Sequence, residues 1–385
     1  MPGMQTMTAA TIGGALSFGM ALALFGRLKL AVTQAVAAKD NSFRRWFLAL
    51  NVSLAPLMLL SGVLLDTYGA RLVLVAGSVM LAVTLVLLNH RMNYLQTLAA
   101  MLLAGFGASA LGAASIVLMP HVFFVSEETS AGLNLGFVFI TLGALLASAF
   151  ADILLATLQL RRTLAVFSLL ALVPAFLTAL PGSHWHIGER PGDLSAMFAE
   201  PVCWLAGLTL FFYVPLEAAL SLWTFALLAE RGQDEREATG LLSGFWMAFL
   251  ASRLLAALAQ HTFFFSDWWD RGLVVAAPLV AAVLLGNLVG AGQRSRPRGG
   301  LILLGLLLGP VLPTLLSLLF QAASDAKGTA FGLAFAAGSL GSVLLAPLMR
   351  TQFTARHPLS VLRLPIFLAL LVTASALILG LMMMR

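Results

Sequence analysis

Residues 61–78 read SGVLLDTYGARLVLVAGS, and within them Gly62–Arg71 gathers two glycines, an aspartate, a tyrosine and an arginine between apolar runs on both sides. The flanking runs set the terms for reading that polar knot. Only 10% of the 385 residues are charged and 60% are hydrophobic, which is far too little polar surface to cover a globule of this size in water. The chain belongs in a bilayer. Crossing one takes about 20 mostly apolar residues with every backbone group paired internally, so repeated runs of that length read as helices. The short alternating strands of a membrane barrel are absent.

Outward from the knot, polar breaks divide the chain into about twelve spans. The first six are expected at 8–36, 44–65, 71–89, 94–119, 131–156 and 161–181, and the second six at 200–229, 238–263, 271–292, 299–322, 326–353 and 359–384. The knot closes the second span and opens the third. The longest polar interruption, GSHWHIGERPGDLSAMFAEP at 182–201, falls near the midpoint and reads as a linker. The expected organisation is therefore an all-α membrane protein with a six-helix bundle over 1–181, a linker over 182–199 and a second six-helix bundle over 200–385. Duplicated helical halves are a transporter design, with a midplane site between two bundles that rock against each other. Glycines inside spans, as in LLAGFGASALGAAS (102–115), read first as close-packing positions.

Several functions are disfavoured. The single cysteine, Cys203, gives no disulfide framework and no cysteine metal site. His184 and His186 in the linker are too few for a metal centre. The formal charge of +6 is scattered through short loops, so no nucleic-acid partner is expected. No phosphate-binding glycine loop and no nucleophile with a paired base appears, so neither an enzyme nor a bound cofactor is expected.

The spacing of Gly62, Asp66, Gly69 and Arg71 resembles the loop signature of the major facilitator superfamily. The resemblance implies a conformational latch. Physically, Gly62 permits close packing, Gly69 a tight turn, and Asp66 either pairs with Arg71 or faces a helix N-terminus. The superfamily usually carries a second basic residue near Arg71, and the run ARLVLV has one. A narrower similarity to the fucose permease and related sugar porters rests on LTLFFYVPLEAALSLWTFAL (208–227), LLSGFWMAFLASRLLAAL (241–258), LNLGFVFITLGALLASAF (133–150) and GPVLPTLLSL (309–318). It implies a small-molecule substrate, a sugar first, with protons or another ion as coupling partner. The acidic residues of that group's first and fourth helices have small residues in their place here, near Gly26 and at 112–115. Downhill facilitation and coupling through a different carboxylate both stay open.

A charge inside a span marks a pathway or a pair. Glu217 lies mid-span behind Pro215, which is expected to break the helix and free a carbonyl toward a central cavity. Glu217 is the coupling candidate and a substrate-site candidate, with a structural pair to Arg253 as the competing role. Asn134, Tyr213, Trp223, Trp246 and Gln321 complete a polar and aromatic set of the kind that holds a sugar. Arg27 and Lys29 either snorkel to the interface or face the cavity, where they would select an organic anion.

Loop charge conflicts with the resemblance. With both termini and the linker cytoplasmic, as in the superfamily, that side holds Arg71, Arg190, Arg271, Lys327 and Arg385, five residues against fourteen on the other side. A basic outer face would suit an anionic ligand, lipid or protein partner. The expected location is the cell membrane, bacterial inner or plasma, with lipids as neighbours. The function expected first is a secondary active or facilitative transporter of a small polar solute working by alternating access. The alternatives are an organic-anion porter and a transporter-shaped receptor or assembly partner.

Overall fold

The structure is a computed structural model that describes residues 2–27, 40–88, 93–124, 129–180, 198–230, 235–263, 267–290, 297–323, 325–353 and 363–384. The polypeptide forms α1 Pro2–Arg27, α2 Asp40–Tyr68, α3 Ala70–Leu87, α4 Tyr94–Val122, α5 Thr129–Thr157, α6 Leu160–Ala179, α7 Pro201–Glu230, α8 Glu235–Phe263, α9 Asp267–Gly290, α10 Pro297–Leu308, α11 Val311–Ala322, α12 Lys327–Phe353 and α13 Arg363–Met382. These supply 12 segments long and apolar enough to cross a membrane. The tenth of them, Gly299–Ala322, is α10 and α11 together.

The break in that span follows from its sequence, LGPVLPT. Pro310 and Pro313 lack the N–H groups that would bond four residues back, so the ladder stops and the carbonyl of Gly309 is released. The first helix begins earlier than the sequence suggests, at Pro2, and the last part of that expected span, 28–36, lies outside the described residues. Pro215 also departs from expectation. It sits inside a continuous α7, because neighbours can absorb the freed carbonyl. That carbonyl, of Phe211, abuts Gly341 of α12 and not a cavity, and any side chain at 341 would run into it.

Helices α1–α6 pack largely on one another, and α7–α13 do the same. Two equivalent contacts mark the likeness of the halves. At the start of α3, Arg71 Nη2 donates to the Thr178 carbonyl next to the end of α6 at 3.1 Å. At the start of α9, Arg271 Nη1 donates to the Met383 carbonyl just past α13 at 3.2 Å. Each guanidinium satisfies a carbonyl that a helix end leaves unpaired. Between the halves, α2 packs along α12, and α5 packs against α8 and α11.

Candidate functional site

The opening turn is where the halves meet most tightly. Gly69 adopts φ 85°, a conformation that side chains disfavour, and lets α3 start at once after α2. Asp66, one turn earlier and 5% exposed, is thereby aimed across the seam. Its Oδ1 accepts from the Gly328 amide at 2.9 Å, and its Oδ2 accepts from the Thr329 amide at 2.7 Å and the Thr329 hydroxyl at 2.6 Å. Gly328 and Thr329 open α12, so the carboxylate caps the positive end of a helix from the other half. Of the two partners the sequence allows, the helix N-terminus is the one observed, while Arg71 is spent within its own half. Gly62 makes the approach feasible, because a Cβ there would strike the Gly328 carbonyl. Gly62→Ala is expected to pry α2 from α12 and to cost about 1–3 kcal/mol of the closed arrangement. A distance measurement between labels on the two helices checks this.

A second seam closes the same end between α5 and α8. Asn134 Nδ2 reaches the Ser130 carbonyl at 3.1 Å, Gln260 Oε1 at 3.1 Å and Thr314 Oγ1 at 3.3 Å. Gln260 Nε2 donates to Ser130 Oγ at 2.7 Å and to Asp270 Oδ1 at 3.0 Å. Beside them the rings of Phe124 and His261 stack at 4.2 Å. Asn134 Oδ1 is buried and has no hydrogen-bond partner among the described residues.

Deeper in the membrane lies a charged cluster. At about 1.5 Å per residue, Arg253 is about 15 Å from the end of α8 and Thr141 about 18 Å from the start of α5, near the middle of a bilayer core. Arg253 Nε donates to the carbonyl of Gly309, released by Pro313, at 2.9 Å. Its Nη1 crosses the seam to the Phe137 carbonyl at 3.4 Å and to Thr141 Oγ1. The guanidinium also sits over the rings of Phe249, 4.4 Å away, and Phe137, 5.1 Å away. Glu217 and Tyr213 lie one turn apart on α7, near enough to Arg253 for the three to act on one another electrostatically. The Tyr213 hydroxyl donates to the Leu308 carbonyl at the break in the tenth span at 2.7 Å.

The structure therefore brings Tyr213, Glu217 and Arg253 together at the midplane and places Asn134 nearer the Asp66 end. Trp246 is half-buried, edge-on to Phe245 at 5.2 Å and Phe249 at 5.3 Å. Gln321 does not join them, because the last turn of α11 leaves it exposed beyond the packed stretch 311–320. The side chains of Arg27 and Trp223, and all of Lys29, lie outside the described residues. Thr141, Ser130, Gln260, Asp270, Thr314 and Thr329 were not singled out in the sequence. Gln260, an amide in the last turn of an apolar helix, carried a usable signal. The hydroxyls did not, since serine and threonine inside membrane helices commonly bond their own backbone. Among the described residues no group of three or more His, Cys, Asp and Glu could hold a metal ion.

Comparison with known structures places this arrangement. A Major Facilitator Superfamily transporter, FucP, crystallised in the outward conformation, superposes with a TM-score of 0.77 at 17% identity over 97% of this chain and 98% of that one. A second structure of FucP, described as the E. coli fucose:proton symporter, gives 0.76 at 17% identity over 97% of this chain and 98% of that one. The proton:xylose symporter XylE, bound to 6-bromo-6-deoxy-D-glucose, gives 0.73 at 14% identity over 100% of this chain and 95% of that one. No curated protein matches the sequence. The sequence profile of the Major Facilitator Superfamily matches residues 7–346. With twelve helices among the described residues long and apolar enough to cross a membrane, and a family model that covers residues 7–346, the chain is a multi-pass membrane transporter of the major facilitator superfamily and not an enzyme.

Proposed function

We propose that the protein moves a small polar solute, a sugar first among candidates, across the cell membrane by alternating access of two six-helix halves, 1–181 and 200–385, with Glu217 as the coupling carboxylate. The observation that carries this reading is the cluster of Tyr213, Glu217 and Arg253, whose guanidinium reaches from one half to Phe137 and Thr141 of the other at mid-membrane. Polar groups at that depth are costly and sit on pathways. Tyr213, Glu217, Arg253 and the nearby aromatic Trp246 supply hydrogen-bonding and ring surfaces of the kind a polyol takes. The structural neighbours described as fucose and xylose symporters support the same substrate class.

Uptake of labelled sugars and organic anions into proteoliposomes, with and without an imposed proton gradient, tests the reading. Sugar accumulation against its gradient is expected for the wild type and is expected to vanish in Glu217→Gln. Purely downhill equilibration unaffected by that change would show a facilitator. Flux of anions alone would move the substrate to a carboxylate or phosphorylated solute. Absence of any flux would remove the transport cycle from the proposal.

A further inference from the structure

We propose that Asp270 is a positioning residue that fixes which way the Gln260 amide faces, and so sets the polarity of a second latch. That latch joins Gln260 to Asn134 and Ser130 of α5 and shuts the same end of the molecule as Asp66. It presupposes the two moving halves of the proposed cycle, but neither the identity of the solute nor a role for Glu217. Helices α2 and α8 correspond to each other. Each is 29 residues long, and each is followed by a helix that begins with an arginine-to-carbonyl contact inside its own half. Near the end of α2, Asp66 takes hydrogens from Thr329, the third residue of α12. Near the end of α8, Gln260 gives a hydrogen to Ser130, the second residue of α5. In both seams a side chain close to a helix end meets a hydroxyl in the first turn of a helix from the other half. The acid, however, has moved. Arg71 follows Ala70, whereas Arg271 follows Asp270, so the second half carries its carboxylate at the start of the next helix and Gln260 connects it to the seam.

The reach of Asp270 follows from the hydrogens available. An amide has two N–H hydrogens and one acceptor oxygen. Gln260 Nε2 spends its two on Asp270 Oδ1 at 3.0 Å and Ser130 Oγ at 2.7 Å, which turns Oε1 toward Asn134. Asn134 Nδ2 then donates to that oxygen at 3.1 Å and also faces the Ser130 carbonyl and Thr314 Oγ1. The chain runs one way, from Asn134 to Gln260 to Asp270, and ends on the carboxyl group. Asn134, Gln260 and Asp270 are 0%, 6% and 7% exposed, so bulk water does not reach them to accept a misdirected hydrogen. A Gln260 amide turned over would set Nε2 against Asn134 Nδ2, two donors face to face, and the seam would repel instead of bind. The buried Oδ1 of Asn134, without a partner among the described residues, marks the same polarity. Its amide has committed its hydrogens to the seam, and the acceptor is left over. An unpaired buried acceptor counts against the closed form and is hydrated once the seam parts. That tempers the latch and favours its release.

The test is a distance between spin labels on Tyr68→Cys and Gln321→Cys, two exposed positions on opposite halves at the Asp66 end. It uses the full chain in lipid nanodiscs, with the buried Cys203 changed to serine. Asp270→Leu is expected to raise the ratio of long to short distances about tenfold, the size of one or two lost hydrogen bonds. Gln260→Met is expected to do the same, and the two together no more than either alone, because both break one chain. The exchanged pair, Gln260→Glu with Asp270→Asn, is expected to keep the wild-type distances, since the carboxylate at 260 accepts from Asn134, from Ser130 and from the amide at 270. A residue that merely fills space would not be rescued by moving its charge. Distances unchanged in Asp270→Leu, or an Asp270→Leu effect that persists in full beside Gln260→Met, overturn the proposal. Should Asp270→Leu not fold, the exchanged pair decides, closed in support and open against. Distances that follow Asp270 while no sugar is taken up uphold the latch and remove the sugar substrate. Sugar uptake with distances indifferent to Asp270 overturns the latch and leaves the transport reading intact.

Discussion

Asp66→Ala is expected to shift the balance of the two end states by about a hundredfold or more toward opening at the end where α2 meets α12. The carboxylate accepts three hydrogen bonds from Gly328 and Thr329, and a hydrogen bond to a charged group contributes about 1.5–3 kcal/mol. The bonds share one carboxylate and are not additive, so a total near 3 kcal/mol is a conservative figure, and each 1.4 kcal/mol is about tenfold. Removing the charge also strands the first-turn amides of α12 in a buried seam. Asp66→Asn keeps one acceptor oxygen and should fall between. Hydrogen exchange at the Gly328 and Thr329 amides reads the effect directly. Protection that is unchanged in Asp66→Ala would mean that the Gly62–Gly328 packing closes this seam and the aspartate is incidental.

Arg253→Met is expected to be the most damaging single change to stability. Removing one member of a buried charged pair costs about 3–5 kcal/mol because the other is left uncompensated. Here the loss also strips the Gly309 and Phe137 carbonyls of a donor. Adding Glu217→Gln to Arg253→Met should therefore recover a large part of the lost thermal stability. Two changes whose costs simply add would show that these residues do not act on each other.

The sequence announces the spans because the bilayer imposes a length of about 20 apolar residues that few other environments demand. It announces Asp66 because a carboxylate between two such runs needs an explanation, yet its partner lies more than 260 positions away and no local pattern points there. The same holds for Arg253, readable as an anomaly in α8 but not as a bridge to Thr141, a residue type common in any membrane helix. Pro215 misled for a reason of packing. Its freed carbonyl found Gly341 on a neighbouring helix, so the helix had no cause to break. The break came instead in the tenth span, where two prolines follow a glycine and the released carbonyl had a guanidinium waiting. Gln321 shares a heptad face with Thr314, and only its place at the end of α11 removes it from the seam.

The pairing of Glu217 with Arg253 also bears on biosynthesis. A lone arginine at the centre of a helix costs about 2.5–3.5 kcal/mol at insertion by the translocon. When α8 emerges from the ribosome, the Gly309 carbonyl does not yet exist, but α7 has already been made and carries its carboxylate one hairpin away. Entering the lipid as a pair, α7 and α8 neutralise each other before the rest of their half is synthesised. The charge pair at the midplane of the finished protein would thus be met first in the nascent chain, where it would help the eighth span enter the membrane at all.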